Sequence, residues 1–162
     1  MILGILKHTP LWVWPLFAGL LYAGYVQSRT RSVPLARLVI LPAVLISLSV
    51  YAVFSGFGPN PVALGGWFAA AALVVAINHA WRRPKGASYS TGTRTFTVPG
   101  SWWPLAVIVA IFFTRYAVTV LLVMNGELRE VAAFAGATSF VYGLSSGFFL
   151  ARTLGLARLL RP

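Results

Sequence analysis

The sequence contains no cysteine and only two acidic residues, and both absences exclude classes of functional site. Without cysteine, the 162-residue chain forms no disulfide, Cys-ligated zinc site or iron–sulfur cluster. The two carboxylates, Glu127 and Glu130, share one short turn, and the two histidines, His8 and His79, belong to different parts of the chain. We therefore expect no metal site, no cofactor and no catalytic residues, and so a protein that is not an enzyme.

Charged residues are also scarce, at 9% of the chain, whereas 59% of the residues are hydrophobic. Soluble domains usually contain roughly 25% charged residues, and the mean hydropathy of this chain is +0.82. This composition is typical of an integral membrane protein. The formal charge of +11 comes from clusters between apolar runs, with no recognition fold behind them. We expect no nucleic-acid partner.

Five apolar runs are each long enough to cross a bilayer, which takes about 20 helical residues. The predicted fold is all-α, a polytopic membrane bundle of five transmembrane helices that forms a single integral membrane domain over residues 1–162. The first two helices are joined by a short basic loop. The spans are predicted at about 10–27, 35–54, 61–81, 101–124 and 131–150.

The longest connection, between the third and fourth spans, contains a segment typical of a β-hairpin. Residues 88–98 are rich in β-forming side chains around the turn signal Thr91-Gly92. We therefore expect a short hairpin at the cytoplasmic surface of the membrane.

The distribution of lysine and arginine predicts the orientation of the chain. Only Lys7 and Arg129 lie on one side of the predicted spans. Because cytoplasmic loops carry an excess of basic residues, we expect the N-terminus outside and the C-terminus in the cytoplasm. The basic clusters on the cytoplasmic side either bind anionic lipid head groups or only set this topology. They consist of Arg29, Arg31, Arg37, Arg82, Arg83, Lys85, Arg94, Arg152, Arg158 and Arg161.

Arg115 lies inside the fourth predicted span, where a charge costs about 2.5–3.5 kcal/mol and therefore indicates function. Comparing depths across the spans predicts hydroxyl groups close to it. They either cage Arg115 or line a wet pocket that receives an anionic group. Alternatively, Arg115 extends outward to lipid phosphate or to the acidic turn. The candidate polar site comprises Arg115, Tyr116, Ser47, Tyr51, Ser139 and Tyr142.

A second group of residues suits the membrane–water interface. Trp102 and Trp103 open the fourth span, and His79 with Arg82 and Arg83 ends the third. Tryptophan and basic side chains are enriched at this level of a membrane. His79 either accepts a proton or binds a head group there, or it is merely accommodated at the interface.

The last span carries small residues at Ala132, Gly136, Ser139, Gly143 and Gly147, a pattern typical of a helix-packing face. The expected partners are the lipid bilayer and, through Gly143 and Gly147, other membrane proteins or a second copy of the chain. The same glycines could instead pack within one subunit.

Several short motifs resemble a known family. They are Arg29-Thr-Arg31-Ser-Val33 followed by Ala36-Arg37 and Leu41-Pro42, and Pro99-Gly-Ser-Trp102 followed by Ile111-Phe112 and Tyr116. The whole chain resembles an uncharacterised bacterial family of small five-span integral membrane proteins, known only as a domain of unknown function. This resemblance implies a bacterial cytoplasmic (inner) membrane location and transfers no activity. The chain is also faintly similar to CcdC-like membrane proteins, linked to cytochrome c maturation, although a thiol role cannot carry over without cysteine.

Three functions remain open at this point. The features favour a non-enzymatic accessory or scaffold protein of the inner membrane, because the small-residue face suits helix packing. The alternative is a small transporter or channel subunit that handles an anionic group at Arg115. An enzyme acting on lipids has the weakest set of candidate residues.

Overall fold

The computed structural model describes residues 11, 13–81, 86–90, 92–93 and 95–160. Two short 3₁₀ turns, Gly126–Arg129 and Arg158–Leu160, precede and follow the last α-helix. The five α-helices are α1 (Val13–Gln27), α2 (Leu35–Phe57), α3 (Pro61–Trp81), α4 (Trp103–Met124) and α5 (Ala132–Ala157). The three strands are β1 (Arg31–Pro34), β2 (Ser88–Ser90) and β3 (Thr95–Val98).

Four of these helices are long and apolar enough to cross a membrane, in agreement with the second to fifth predicted spans. The described part of the first predicted span, helix α1, has 15 residues. At 1.5 Å per residue it is about 22 Å long, less than the roughly 30 Å of a hydrocarbon core. The remainder of that predicted span, apart from Leu11, lies outside the described residues. The predicted count of five spans is therefore not confirmed.

Large apolar side chains cover the outer surface of the bundle. Phe68, Phe113 and Val123 are 64%, 55% and 79% exposed, respectively. A soluble monomer rarely exposes so continuous an apolar surface. Lipid tails can cover such a surface. The backbone hydrogen bonds of a helix are all internal, so no backbone polar group is left facing the lipid.

Helices α3 and α5 form the largest helix–helix interface of the described structure. A Cβ atom on Gly147 would lie only 2.8 Å from the carbonyl oxygen of Ala71, and Gly143 is similarly pressed against the backbone of Trp67. Such close approach of two backbones requires residues without side chains. The small residues of α5 thus pack within the subunit, which is the second of the two uses that the sequence left open.

A buried polar network attaches α2 to this helix pair. The indole Nε1 of Trp67 donates a hydrogen bond of 3.0 Å to Ser49 Oγ, which donates one of 3.3 Å to the carbonyl oxygen of Tyr142. Ser49 and Tyr142 are 3% and 2% exposed. Because polar groups inside a dry bundle need partners, this network fixes the relative positions of three helices.

Helix α4 packs mainly against α1. Phe17 stacks on Phe112 with ring centroids 4.5 Å apart. Two turns further along α1, Gly24 packs against Leu105. On its other side, α4 buries Ile108 and Leu122. The pair α1–α4 therefore lies beside the three-helix unit of α2, α3 and α5.

The strands form one antiparallel sheet in the order β1-β3-β2. The predicted hairpin of β2 and β3 is confirmed, but the connection before α2, predicted as a loop, contains strand β1. Arg31 pairs with Val98 and Pro34 pairs with Thr95. The strand forms because Val33, which is 3% exposed, packs with Phe96 and Leu156 in a small apolar cluster.

Helix α5 is longer than predicted. The sequence indicated an end near residue 150, whereas the helix continues to Ala157 and includes Arg152. A long arginine side chain is tolerated near a helix end because its aliphatic part packs against apolar neighbours while its charge reaches a polar region. Arg152 thus belongs to a packed helix rather than to a basic tail.

Candidate functional site

The sheet end of the bundle, defined by β1–β3 and the C-terminal end of α5, brings separate basic segments together. Strand β1 pairs with β3, and Leu156 of α5 belongs to the same buried apolar cluster as Val33 and Phe96. The acidic turn, which contains Glu127 and Glu130, directly precedes the N-terminal end of α5. From Ala132 to Arg152 this helix is about 30 Å long. The carboxylates of Glu127 and Glu130 are therefore too distant to neutralise charges at the sheet end.

Three of the basic residues line one shallow, partly open pocket between β1, α2 and α5. Its enclosed cavity is only about 30 Å³, so most of the pocket is open to the surface. Gln27 and Thr153 add an amide and a hydroxyl group to the lining. We name this feature the three-arginine pocket, after Arg31, Arg37 and Arg152.

Local periodicity explains why these arginines meet. Arg31 and Val33 are two residues apart on a strand and so point to the same face. Arg152 and Leu156 are four residues apart on a helix and so share one face. Val33 and Leu156 belong to one buried apolar cluster, so Arg31 and Arg152 lie on the lining of the same pocket. Arg37 joins them from the first turn of α2, directly after β1 ends.

The three-arginine pocket concentrates charge of one sign. Partial burial, followed by the positive charge of Arg37, lowers the pKa of Arg31. The charge of Arg31 in turn acts on Arg152. Within the described residues, no hydrogen bond or ion pair satisfies any of the three guanidinium groups. Because like charges close together raise the free energy of the folded state, the arrangement favours a bound anion.

Other arginines at the same end are partnered differently. Arg29 donates a hydrogen bond of 2.6 Å to the hydroxyl of Tyr25 and lies 5.2 Å from the centre of that ring. Arg158 contacts Nδ1 of the exposed His79. Among the described arginines at this end, Arg29 and Arg158 therefore have side-chain partners, unlike the three arginines of the pocket.

Arg115 lies on the inward side of α4. Its neighbours at helical spacing are Ile108 and Leu122, which are 1% and 7% exposed, and Ile111 and Val118, which pack against the core. The charge of Arg115 acts on the buried Tyr142 of α5. That these two residues form one polar site stays a prediction.

The other members of that site are distributed over three helices. Ser47 and Tyr51 lie on the surface of α2, and Tyr51 is 62% exposed. Tyr116 is half-buried on α4. Ser139 is fully buried, and among the described residues its Oγ has no hydrogen-bond partner. It lies on the α5 face that packs against α3, between Gly136 and Gly143.

The predicted interfacial residues lie at the sheet end where they are described. Trp102 and Trp103 are 63% and 67% exposed at the start of α4. The Ser101 amide donates to the carbonyl oxygen of Gln27, and Gly100 packs directly against the Ser28 carbonyl. This contact places the two tryptophans near the level of the three-arginine pocket. Arg82 and Arg83 lie outside the described residues.

Sequence reasoning missed the convergence of Arg31, Arg37 and Arg152, and it missed Ser49. The sequence alone predicts a loop around the first two arginines and a basic tail around the third. One signal was present: Arg37 and Arg152 each border an apolar run, on a side of the protein that has no acidic residue. The joining element, strand β1, was not predicted.

The mostly helical fold, with four apolar helices long enough to span a bilayer, supports a membrane protein. The chain belongs to a family of unknown function, DUF6622, which it matches over residues 1–162. The predicted resemblance to a family of unknown function is thereby confirmed.

A curated relative gives no further information about activity. The chain is 32% identical over 57 residues to an uncharacterized protein of Pasteurella multocida (strain Pm70), PM0739. The match covers 35% of this chain and 44% of that protein, less than half of its length. No solved structure matches. Neither the family nor the relative supports the predicted similarity to CcdC-like proteins.

Proposed function

We propose that this protein is a non-enzymatic accessory protein of a bacterial inner membrane that binds a phosphate-type anion at the three-arginine pocket. The observation that carries the proposal is the convergence of Arg31, Arg37 and Arg152 in one pocket, far from both carboxylates of the chain. Guanidinium groups present paired N–H donors in a planar fork that matches phosphate oxygens. A bound anion would also offset their mutual repulsion.

The chemistry of the lining supports binding rather than catalysis. The polar groups are guanidinium, amide and hydroxyl, which position an anion through hydrogen bonds. A guanidinium group does not deprotonate in proteins and so provides no general base. This set of groups therefore suits an accessory protein that binds a ligand without transforming it.

The proposed topology has five spans in a single domain, with the N-terminus outside. The first predicted span, at about residues 10–27, contains helix α1 and is included in this proposed count. The sheet end faces the cytoplasm, because Arg29, Arg31, Arg37, Arg152 and Arg158 lie there while Arg129 lies in the turn at the opposite end. The three-arginine pocket then lies at the cytoplasmic membrane surface.

An anion-dependent thermal shift tests the proposed binding. The full chain is purified in uncharged detergent, and its Tm is compared in sodium pyrophosphate and in sodium chloride of equal ionic strength. A ligand that binds only the folded state raises Tm. We expect pyrophosphate to raise Tm for the wild type but not for the triple variant Arg31→Gln/Arg37→Gln/Arg152→Gln. Equal shifts in both proteins would contradict the proposal.

A second candidate function is a small transporter or channel subunit in which Arg115 handles the anionic group. The observation that favours it is the inward position of Arg115 on α4, close enough to act on Tyr142. Charged residues inside membranes usually face the bundle interior and mark functional pathways. The test is Arg115→Leu in a deletion strain, with Arg115→Lys as the charge-retaining control. Wild-type insertion, abundance and phenotype in the leucine variant would remove this candidate.

Binding of other membrane proteins or of a second copy stays a proposal as well. Gly143 and Gly147 are occupied by α3 within the subunit. A partner of an accessory protein would therefore contact other surfaces, such as the exposed apolar side chains of α4.

A further inference from the structure

The three-arginine pocket has an apolar half that an inorganic anion does not use. Leu38, Leu41 and Pro42 of α2 and Phe149 of α5 line it beside the guanidinium groups. All four belong to helices that can cross a membrane. A ligand that fits both halves has an anionic group joined to a hydrocarbon part.

The position of the charges along the helices matches the level of lipid phosphates. Arg37 lies at the start of the span that begins with Ala36, and Arg152 lies five residues before the end of α5. These positions are within about 8 Å of the helix ends, at 1.5 Å per residue. The head-group layer of each leaflet is about 5–8 Å thick, so the pocket lies at its boundary with the hydrocarbon core.

The shape and the charge of the pocket restrict the ligand further. A shallow, partly open pocket accommodates a head group lying against it better than it encloses a free anion. Three arginines carry a charge of about +3, whereas a simple phosphodiester lipid carries one negative charge. Basic pockets between transmembrane helices on the cytoplasmic side commonly bind lipids whose head groups carry several negative charges.

From these observations, and resting on the proposed anion site, we infer that the ligand is a phospholipid with two phosphates, of the cardiolipin type. Its phosphates contact Arg31, Arg37 and Arg152, and its acyl chains lie along Leu41, Pro42 and Phe149. The lipid thus supplies a counter-charge for guanidinium groups that have no acidic partner among the described residues. Binding would stabilise the contact between β1, α2 and α5.

Lipid binding to the full chain in uncharged detergent tests the inference, with native mass spectrometry as the readout. The probes are cardiolipin, phosphatidylglycerol and inorganic pyrophosphate, each titrated separately. The test variant is Arg31→Gln/Arg37→Gln/Arg152→Gln. The matched control, Arg29→Gln/Arg129→Gln/Arg158→Gln, removes the same number of charges outside the pocket. A monodisperse elution profile and an unchanged helical circular dichroism spectrum show that each variant is folded.

We expect one cardiolipin to bind the wild type at least about tenfold more tightly than either other probe, because only cardiolipin combines two phosphates with chains. The pocket variant should lose at least about tenfold in affinity, while the control should stay within about twofold. The single variant Arg37→Gln, at an exposed position, should weaken binding in the same direction without disturbing the packing.

The remaining outcomes separate the inference from the proposed function. If pyrophosphate binds as tightly as cardiolipin and depends on the same arginines, the lipid inference is overturned and the anion site stands. If cardiolipin and phosphatidylglycerol bind equally, the requirement for two phosphates is overturned. If neither lipid nor pyrophosphate binding changes in the pocket variant, the inference and the proposed function both fail.

Discussion

At the scale of single residues, the arginines that have no carboxylate partner indicate where an anionic ligand would bind. A partly buried guanidinium group usually pairs with an acidic side chain, since losing hydration is costly without compensation. This chain has 2 acidic residues and 13 lysines and arginines. Both acidic residues lie at the end of the bundle opposite the three-arginine pocket. Arg31 and Arg152 are half-buried beside another positive charge. Among the described residues no acidic side chain neutralises them, which is why we propose a ligand that supplies the counter-charge.

Removing one of these charges should stabilise the ligand-free protein. Like charges at close range destabilise by about 0.2–0.5 kcal/mol per pair near a surface. We expect Arg37→Gln to raise Tm in delipidated, low-salt detergent solution, and we expect the rise to shrink in 1 M salt, where charges are screened. Arg129→Gln, which removes a charge from the acidic turn, serves as the control. A lower Tm for Arg37→Gln under these conditions would show that no repulsion exists in the pocket.

At the scale of elements, the sequence predicts the helices well and the sheet only partly. The apolar runs predict α2, α3, α4 and α5, because length and hydropathy are sufficient signals for a span. The hairpin of β2 and β3 follows from β-forming residues around a turn. Strand β1, Arg-Ser-Val-Pro, has only four residues and ends in proline. It forms because it pairs with the edge of β3 and because Val33 is buried in one apolar cluster with Phe96 and Leu156.

The three-arginine pocket could not be predicted for the same reason. Its arginines come from a strand, the start of one helix and the end of another, so only tertiary packing joins them. Arg115 was identified from sequence because a charge inside an apolar run is visible locally. Matched depths predict that it lies near Tyr142. The outward positions of Ser47 and Tyr51 depend on the rotation of α2, which a depth argument does not specify.

The interface between α3 and α5 gives a prediction at this scale. Gly143→Ala places a methyl group against the backbone of Trp67, so the two helices must separate. Overpacking of this kind costs about 1–3 kcal/mol. The matched control is Gly65→Ala on α3, where the added methyl group meets nothing within 4 Å. Thermal unfolding in detergent should show a large loss for the first variant and little change for the second. Equal stability of the two would argue against the observed packing.

At the scale of the whole molecule, charge and fold are organised along one axis. The sheet, the exposed tryptophans and the three-arginine pocket occupy one end, and the acidic turn occupies the other. Such an asymmetric distribution orients a membrane protein with its basic end in the cytoplasm. In the proposed orientation, the pocket faces the leaflet surface that carries anionic lipids.

The absence of cysteine makes this orientation directly testable. A membrane-impermeant maleimide can be applied to intact cells that express Ser90→Cys or Gly126→Cys, both at exposed positions. We expect Gly126→Cys to be labelled from outside and Ser90→Cys to be labelled only after the cells are opened. The wild type provides the unlabelled background. The reverse pattern would place the three-arginine pocket on the outer surface and contradict the proposed topology.

The central claim is that lipid phosphate occupies the three-arginine pocket, and a distance measurement tests it most directly. Protein with ¹⁵N-labelled arginine is reconstituted with one equivalent of cardiolipin in phosphate-free, uncharged amphiphile. Solid-state NMR then measures dipolar coupling between guanidinium ¹⁵N and lipid ³¹P. We predict couplings at hydrogen-bonding range in the wild type and in the Arg29→Gln/Arg129→Gln/Arg158→Gln control, and their loss in the Arg31→Gln/Arg37→Gln/Arg152→Gln variant. Couplings of equal strength in both variants would contradict the claim.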